Sequence, residues 1–307
     1  MNGVVASEPT DRAGADADAD RGSGSIVRHE RFAVVDSTND VVRGWLAGGE
    51  PEVCLAVADR QSAGRGRAGR TWVAPDGAAL LLSLGFRPSW LAPDRTWRLA
   101  ALVALAMAGA AENVAGLPDG AVRLKWPNDL VVEDGGPADP RTGLPRKLAG
   151  LLGETDGLGT AAPRATIGLG VNVDWPADAF PAGLAGGMTS LHELTGGHAV
   201  DRTALLDVFL ARLEPRLRAL RAGGFPGAEW SERQLTTGRV VRLEQPDGAA
   251  DAVHALGVDP DSGALVVADA SAADGRRAVF SGEIRHLRLA DTPAPAEPDL
   301  RARPREL

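Results

Sequence analysis

Two hydrophobic rhythms alternate along this chain. Apolar residues at every second position, or in unbroken runs of about four to eight, indicate strands; recurrence at three and four indicates helices. FAVVDSTNDVVRGWLAGG (32–49) reads as a strand entering a helix, with Ser37 as N-cap, Asp40 three residues on, and Gly48–Gly49 as stop signal. EVCLAVADRQ (52–61) and ALLLSLGF (79–86) are the next strands, and a long alanine-rich helix is expected from about Asp94 to Ala115. VRLKW, LVVEDG, KLAGLLGET and ATIGLGVNV read as four more strands, with GGPADPRTGLP (135–145) as a hairpin loop between two of them. In DRTALLDVFLARLEPRLRALRAG (201–223), leucines 205, 206, 210, 213, 217 and 220 share one side of a helix that Pro215 should kink. After Trp230 the pattern changes to short strands and turns, which suggests a small barrel-like β domain joined near residue 235.

The expected organisation is a disordered segment at 1–26, a main domain at 27–234, a small β domain at 235–290 and a disordered tail at 291–307. ADADAD and GSGS near the start, and alternating proline and charge at the end, offer little to bury. The 307 residues are 44% hydrophobic and 24% charged, enough for one large core and a small one. A net charge of −8 argues against a broad basic face for nucleic acid, so an anion must be gripped locally. Cys54 is the single cysteine, which excludes an internal disulfide and fits a structural thiol in a reducing compartment. No secretory pattern opens the chain. The longest apolar run, Leu99–Ala111, is shorter than the roughly 20 residues of a bilayer span, so a cytoplasmic protein with no membrane contact is expected.

GRGRAGR (64–70) is the most unusual stretch in such an acidic protein. Gly64, Gly66 and Gly69 satisfy GxGxxG, but a dinucleotide site needs a helix to open at the loop, and here Pro75, Gly77 and a strand follow. A kinase loop lacks its downstream HRD and DFG partners, and no Walker sequence is present. In an extended segment Arg65 and Arg67 would share a face about 7 Å apart. Two guanidiniums there suit a phosphate, and the glycines let the backbone approach it. The alternative is a solvated basic turn; Gln61 and Trp72 beside the loop favour polar and planar recognition instead.

KWPNDL (125–130) offers a second cluster. With Pro127 holding Trp126 extended, Asn128 and Asp129 stand at a strand start, either as an Asx turn or as a magnesium seat completed by nucleotide phosphates. Lys147 enters an apolar strand, a position that often serves as a solvated edge guard. Ser37 is explained by helix capping; Thr38 and Asn39 are not, and they leave a hydrogen-bonding pocket open. Asn172 is polar within an apolar strand and needs a buried partner.

DSTN (36–39), RQSAGRGRAGRTW (60–72), KWPNDL, RKLAGLLGE (146–154) and GLGVNV (168–173), in this order and spacing, resemble the biotin protein ligases over roughly residues 30 to 290. The resemblance implies an α+β fold: a mixed-sheet catalytic domain of the biotin/lipoate ligase type, followed by an SH3-like β-barrel that ends near GEIRHLR. It implies that biotin and MgATP form biotinyl-5′-AMP, whose acyl group passes to a lysine of a biotin carboxyl carrier domain. By this resemblance Ser37, Thr38, Asn39, Gln61, Gly64 and Gly66 line the biotin site. Arg65, Arg67 and Lys147 serve biotin and catalysis. Trp72, Arg70, Asn128 and Asn172, with Arg67, bind the nucleotide, and Asp129 serves the metal and catalysis. Some relatives carry an N-terminal winged helix; the residues before 30 do not resemble one, so a monomer or weak dimer without DNA binding is expected. A lipoate protein ligase is the nearest alternative, and a noncatalytic nucleotide- or RNA-binding module the alternative of another class.

Overall fold

The computed structural model describes residues 26–133, 144–245, 248–280 and 283–286. The expected disordered ends and most of the 135–145 loop lie outside them. Strands β1 (Arg28–Val35), β2 (Cys54–Gln61), β3 (Ala79–Phe86), β4 (Val122–Lys125), β5 (Asp129–Val132), β6 (Arg146–Asp156) and β7 (Arg164–Asn172) form one sheet in the order β1-β2-β3-β7-β6-β5-β4. β1 and β2 run parallel and the other neighbours antiparallel, so the sheet is mixed. The helices are α1 (Thr38–Ala47), α2 (Trp97–Ala115), α3 (Leu191–Leu194), α4 (Arg202–Arg221) and α5 (Gly227–Glu232). β8 (Val240–Glu244), β9 (Ala250–Val258), β10 (Leu265–Ala268), β11 (Arg276–Val279) and β12 (Glu283–His286) form a second, antiparallel sheet in the order β11-β10-β9-β8-β12. This is the expected α+β architecture with a separate C-terminal β-sheet.

Strand periodicity divides the side chains between two faces. Leu55 and Val57 of β2, Leu80, Leu82 and Leu84 of β3, and Ile167, Leu169 and Val171 of β7 join α2 and α4 in the main core. Cys54 and Ala56 instead meet Val42 and Leu46 of α1. Gly85 lets α1 approach, because a Cβ there would lie 2.6 Å from Cys54 Sγ and 2.7 Å from Val42. Burial pushes the Cys54 thiol up to about 11, as expected for a structural thiol kept protonated. The helical stretch Pro93–Ala115 is long and apolar enough to cross a bilayer, but 78% of its apolar window is buried inside the protein. It packs as a core helix. α4 continues through Pro215 as one element, and Leu210 alone of its six leucines is not fully buried. The Trp126–Pro127 peptide is cis, a turn rather than the extended run expected there.

The two sheets share their core. Val241, Leu243, Leu265 and Val267 belong to the same buried cluster as Leu99 and Phe209. The β9–β10 turn docks on the main domain: Trp126 Nε1 donates to Gly263 O at 3.2 Å, and Arg98 Nη2 donates to Pro260 O at 3.3 Å. Gly263 has φ +77°, and a Cβ there would lie 2.7 Å from the Trp97 ring. Just before this unit the chain runs along β4, with Leu124 N donating to Arg233 O and Leu235 N to Leu124 O, both at 2.8 Å.

Arg233 anchors that junction. It holds Glu112 of α2 through two bonds of 2.7 and 3.1 Å, and it donates to Val122 O at 3.0 Å. The Glu112 and Arg233 side chains are only 5% and 11% exposed, so neither charge has water to fall back on. Removing one member leaves the other buried and uncompensated. Arg233→Ala should therefore destabilise the protein by about 3–5 kcal/mol. Denaturant unfolding checks this, and a loss within 1 kcal/mol would refute it.

Candidate functional site

The glycines of β6 and β7 make the site possible. Gly150 of β6 and Gly168, Gly170 and Asn172 of β7 line a cavity of about 350 Å³ on the sheet face opposite α2. At Gly168 a Cβ would lie 2.3 Å from Asn39 Oδ1, and at Gly170 it would lie 2.5 Å from the Trp72 ring. At Gly150 it would meet Lys147 Nζ at 2.9 Å and Trp72 at 3.0 Å. Asn39, Trp72 and Lys147 thus rest against bare backbone. Period-two glycine in GLGVNV is the sequence signal of this close approach.

One end of the cavity is a buried hydrogen-bond network. Gln61 Oε1 accepts from Thr38 N at 2.8 Å and from Thr38 Oγ1 at 3.1 Å. Ser83 Oγ bonds Thr38 Oγ1 at 2.7 Å and donates to Asn39 Oδ1 at 2.6 Å, while Asn39 Nδ2 donates to Glu154 Oε2 at 2.7 Å. Ser37, Thr38 and Asn39 are all buried at the start of α1. Ser37 occupies the N-cap position, but its side chain makes no capping bond, so capping does not account for it. Sequence reasoning missed Ser83 and Glu154. Ser83 is the one polar residue of ALLLSLGF, and that was its available signal.

The arginine loop is not the extended segment expected. Gly66 N donates to Arg70 O at 2.6 Å and Trp72 N to Gly64 O at 2.9 Å, which folds residues 64–72 back on themselves. Ala68 (φ 53°) and Gly69 (φ 73°) make the turn. At Gly64 a Cβ would lie 2.6 Å from Trp72 O. Arg65 and Arg67 both line the cavity, yet they answer to different partners. Arg65 grips Asp40 end-on, at 2.6 and 2.8 Å, and reaches Glu154 at 3.4 Å. Arg67 Nη1 donates to Asn128 Oδ1 at 3.4 Å, and Arg70 Nε to Arg67 O at 3.3 Å.

The far wall comes from β5 and β6. Asn128 Nδ2 donates to Leu151 O at 2.7 Å, which ties it to β6. Lys147 is no edge guard: it sits in an interior strand, with Nζ 2.7 Å from Asp129 Oδ1 and 5.4 Å from the centre of the Trp72 ring. Lys125 Nζ lies 3.8 Å from Asp129 Oδ2. Asn172 finds its partner in Thr189, donating through Nδ2 to the carbonyl at 2.9 Å. Asn172 Oδ1 and Trp72 Nε1 remain buried without hydrogen bonds, an unused acceptor and donor at one cavity. The segment Gly183–Met188 also lines it, and no sequence signal marked that stretch.

All fourteen sequence-nominated residues are therefore close together. Thirteen line one cavity directly, Asp129 also pairing there with Lys147, and Gly64 stands beside it, against Gln61 and Trp72. The layout is a neutral, buried polar end joined to a cation-rich end, as required to hold a polar head group and an acid or phosphate together. The Biotin/lipoate A/B protein ligase family matches residues 31–172, the segment that supplies every one of these positions. The biotin--[acetyl-CoA-carboxylase] ligase of Mycobacterium tuberculosis is 33% identical over 273 residues, covering 87% of this chain and 92% of that protein. The bifunctional ligase/repressor BirA of Bacillus spizizenii is 30% identical, over 82% of this chain and 71% of its own length. Among solved structures, a biotin protein ligase from Aquifex aeolicus in complex with biotin and ATP matches 85% of this chain and 99% of its own, with TM-score 0.67 and 24% identity. The chain belongs to the biotin protein ligase family.

The Arg65 hydrogen bonds hold the Asp40 carboxyl below its ordinary 3.8. A depressed carboxylate keeps its pair as pH falls and loses it only below that range, so the contact is intact at neutral pH. Both side chains are partly exposed, 37% and 47%, so the pair contributes no more than about 1 kcal/mol to holding the loop. Asp40→Ala should accelerate tryptic cleavage at the loop arginines by about two- to fivefold with global stability kept. An unchanged cleavage rate would show that the loop is held by something else.

Proposed function

We propose that the protein is an ATP-dependent biotin protein ligase. In this reading a carboxylate oxygen of biotin attacks the α-phosphorus of ATP, the bond to the β-phosphate breaks, and pyrophosphate leaves. The acceptor lysine nitrogen then attacks the acyl carbon, the C–O bond to AMP breaks, AMP departs with the electron pair, and the amine loses a proton. The observation that carries the reading is the joining of a buried Thr38–Asn39–Gln61–Ser83 network to Arg65, Arg67 and Lys147 in one cavity.

The neutral network suits the ureido end of biotin, with Ser37, Gln61, Gly64 and Gly66 around it. Arg65, Arg67 and Lys147 lie where charge grows during adenylation, and preorganised cations there lower the barrier. One such ion pair at ~4 Å and an effective dielectric near ~20 contributes on the order of 4 kcal/mol before desolvation. Trp72, Arg70, Asn128 and Asn172 form the nucleotide side, where Trp72 Nε1 and Asn172 Oδ1 await partners. Magnesium enters only as a companion of ATP, whose phosphate charge it shields. Asp129, with Asn128 beside it, would hold magnesium together with phosphate oxygens of the nucleotide, a set of one carboxylate plus phosphates that suits this ion; the Asp129 carboxylate pairs with Lys147 at 2.7 Å and Lys125 at 3.8 Å.

The reading extends to a main unit at 27–234, a C-terminal SH3-like barrel at 235–290, a cytoplasmic monomer or weak dimer, and no role on DNA or membranes; the net charge of −8 supports the absence of a DNA face. Mass spectrometry of a biotin carboxyl carrier domain incubated with this protein, biotin and MgATP should find one biotinyl group on lysine. Exchange of pyrophosphate into ATP should depend on biotin and be absent with lipoate; lipoate-dependent exchange would reassign the enzyme.

Transfer needs a neutral amine. A lysine of pKa ~10.4 lies about 3.4 units from neutrality at pH 7, roughly 4.6 kcal/mol. In this reading Asp129 assists, either directly or through Lys147, with which it pairs at 2.7 Å. Given ready-made biotinyl adenylate, Asp129→Ala should transfer biotin at least about tenfold more slowly. An unchanged rate would confine Asp129 to the first step.

A further inference from the structure

Along the cavity face of the sheet, Gly150, Leu152 and Glu154 of β6 stand opposite Gly170, Gly168 and Thr166 of β7. Gly150, Leu152, Gly168 and Gly170 line the cavity, and Glu154 takes the next position on that face, at the polar end. Its side chain faces both halves of the site. Oε2 accepts from Asn39 Nδ2 at 2.7 Å, and the same oxygen lies 3.4 Å from Arg65 Nη2. Arg43 Nη1 stands 3.8 Å from Oε1. Asp40 holds both Nη atoms of Arg65 and lies 3.5 Å from Arg43, so two carboxylates and two arginines balance at this point.

The Asn39 amide has one orientation open to it. The Glu154 carboxylate and the Leu152 carbonyl, the latter at 3.4 Å, both require a donor, so Nδ2 faces them and Oδ1 faces the Ser83 hydroxyl. Both amide hydrogens are thereby committed inside the protein. Asn39 lies over Gly168, where a Cβ would come within 2.3 Å of Oδ1. A ligand that orders Thr38 and Asn39 therefore also fixes Glu154, and through it Arg65, the first arginine of the loop.

We propose that Glu154 is a positioning residue that couples the buried neutral end of the site to the arginine loop, so that a biotin ring seated at one end steadies the grip on its adenylate at the other. The proposal rests on the biotin ligase reading above. The coupling is reciprocal: whatever holds the loop also holds the Asn39 amide. A carboxylate suits this place because one charged oxygen can accept from a neutral amide and a guanidinium together. An amide in its place still accepts from Asn39, but it brings no charge to Arg65. A hydrocarbon does neither.

The test uses the full chain with Glu154→Gln and, separately, Glu154→Ala, with thermal melts as the folding control. Two quantities are measured: KM for biotin in the biotin-dependent exchange of pyrophosphate into ATP, and the rate at which biotinyl adenylate leaves the enzyme without an acceptor. Glu154→Gln should keep KM for biotin within about twofold while releasing the adenylate roughly fivefold faster. Glu154→Ala should raise both by roughly fivefold. An unchanged release rate in Glu154→Gln would overturn the coupling, and so would an unchanged KM in Glu154→Ala. Equal rises of both quantities in Glu154→Gln would also overturn it, because they would show a general loosening of the site. The isosteric Glu154→Gln decides the question alone if the alanine variant does not fold. Absence of exchange in the wild-type protein is a different result, since it removes the ligase reading itself.

Discussion

Everything in the site depends on the missing Cβ atoms of one sheet face. Gly150, Gly168 and Gly170 leave strips of backbone on which Lys147, Trp72 and Asn39 lie flat. Any side chain at these positions would stand where a functional group now stands. The opposite face of the same strands carries Leu151, Ile167, Leu169 and Val171, packed on α2 and α4. One strand pair thus anchors the core with one set of alternating positions and clears space for chemistry with the other.

Electrostatic compensation is the second organising feature. Without ligand, Arg65 is held by Asp40 and Glu154, and Lys147 by Asp129. Arg65 and Lys147 therefore each have a local carboxylate that fixes their position. A chain with net charge −8 can present a cationic pocket because its cations, Arg65, Arg67, Arg70 and Lys147, are concentrated at one loop and one strand start. Preorganisation of this kind replaces solvent reorganisation with fixed protein dipoles and charges.

Much of this was legible in the sequence, for definite reasons. Every strand of the main sheet and both long helices followed from apolar period, because burial on one or two faces imposes that period directly. The nominated residues converge on one cavity because their motifs sit at strand ends and on the loop between β2 and β3. What the sequence did not carry was partner choice. The bidentate grip of Arg65 on Asp40 depends on how the loop folds back through Ala68 and Gly69, and a local extended-chain argument cannot foresee that turn. Ser83 was missed although it is the one polar residue of its strand, and Glu154 because it opens the polar end of β6, where a charged residue raises no question. Ser37 does stand at the N-cap position expected from the sequence, but its side chain makes no capping bond there. The segment Gly183–Met188, with little periodicity, reaches the cavity only through tertiary packing of the chain after β7.

The contact of Trp126 with Gly263 has a wider consequence. The indole that starts the Trp126–Asp129 turn is capped by a carbonyl from the C-terminal sheet, and the Trp97 ring packs against the same glycine. The small sheet is therefore masonry in the wall of the larger unit. Evolution could lengthen or shorten its outer turns freely, but it could not exchange the module for an unrelated one without rebuilding the lintel over the neighbouring chamber.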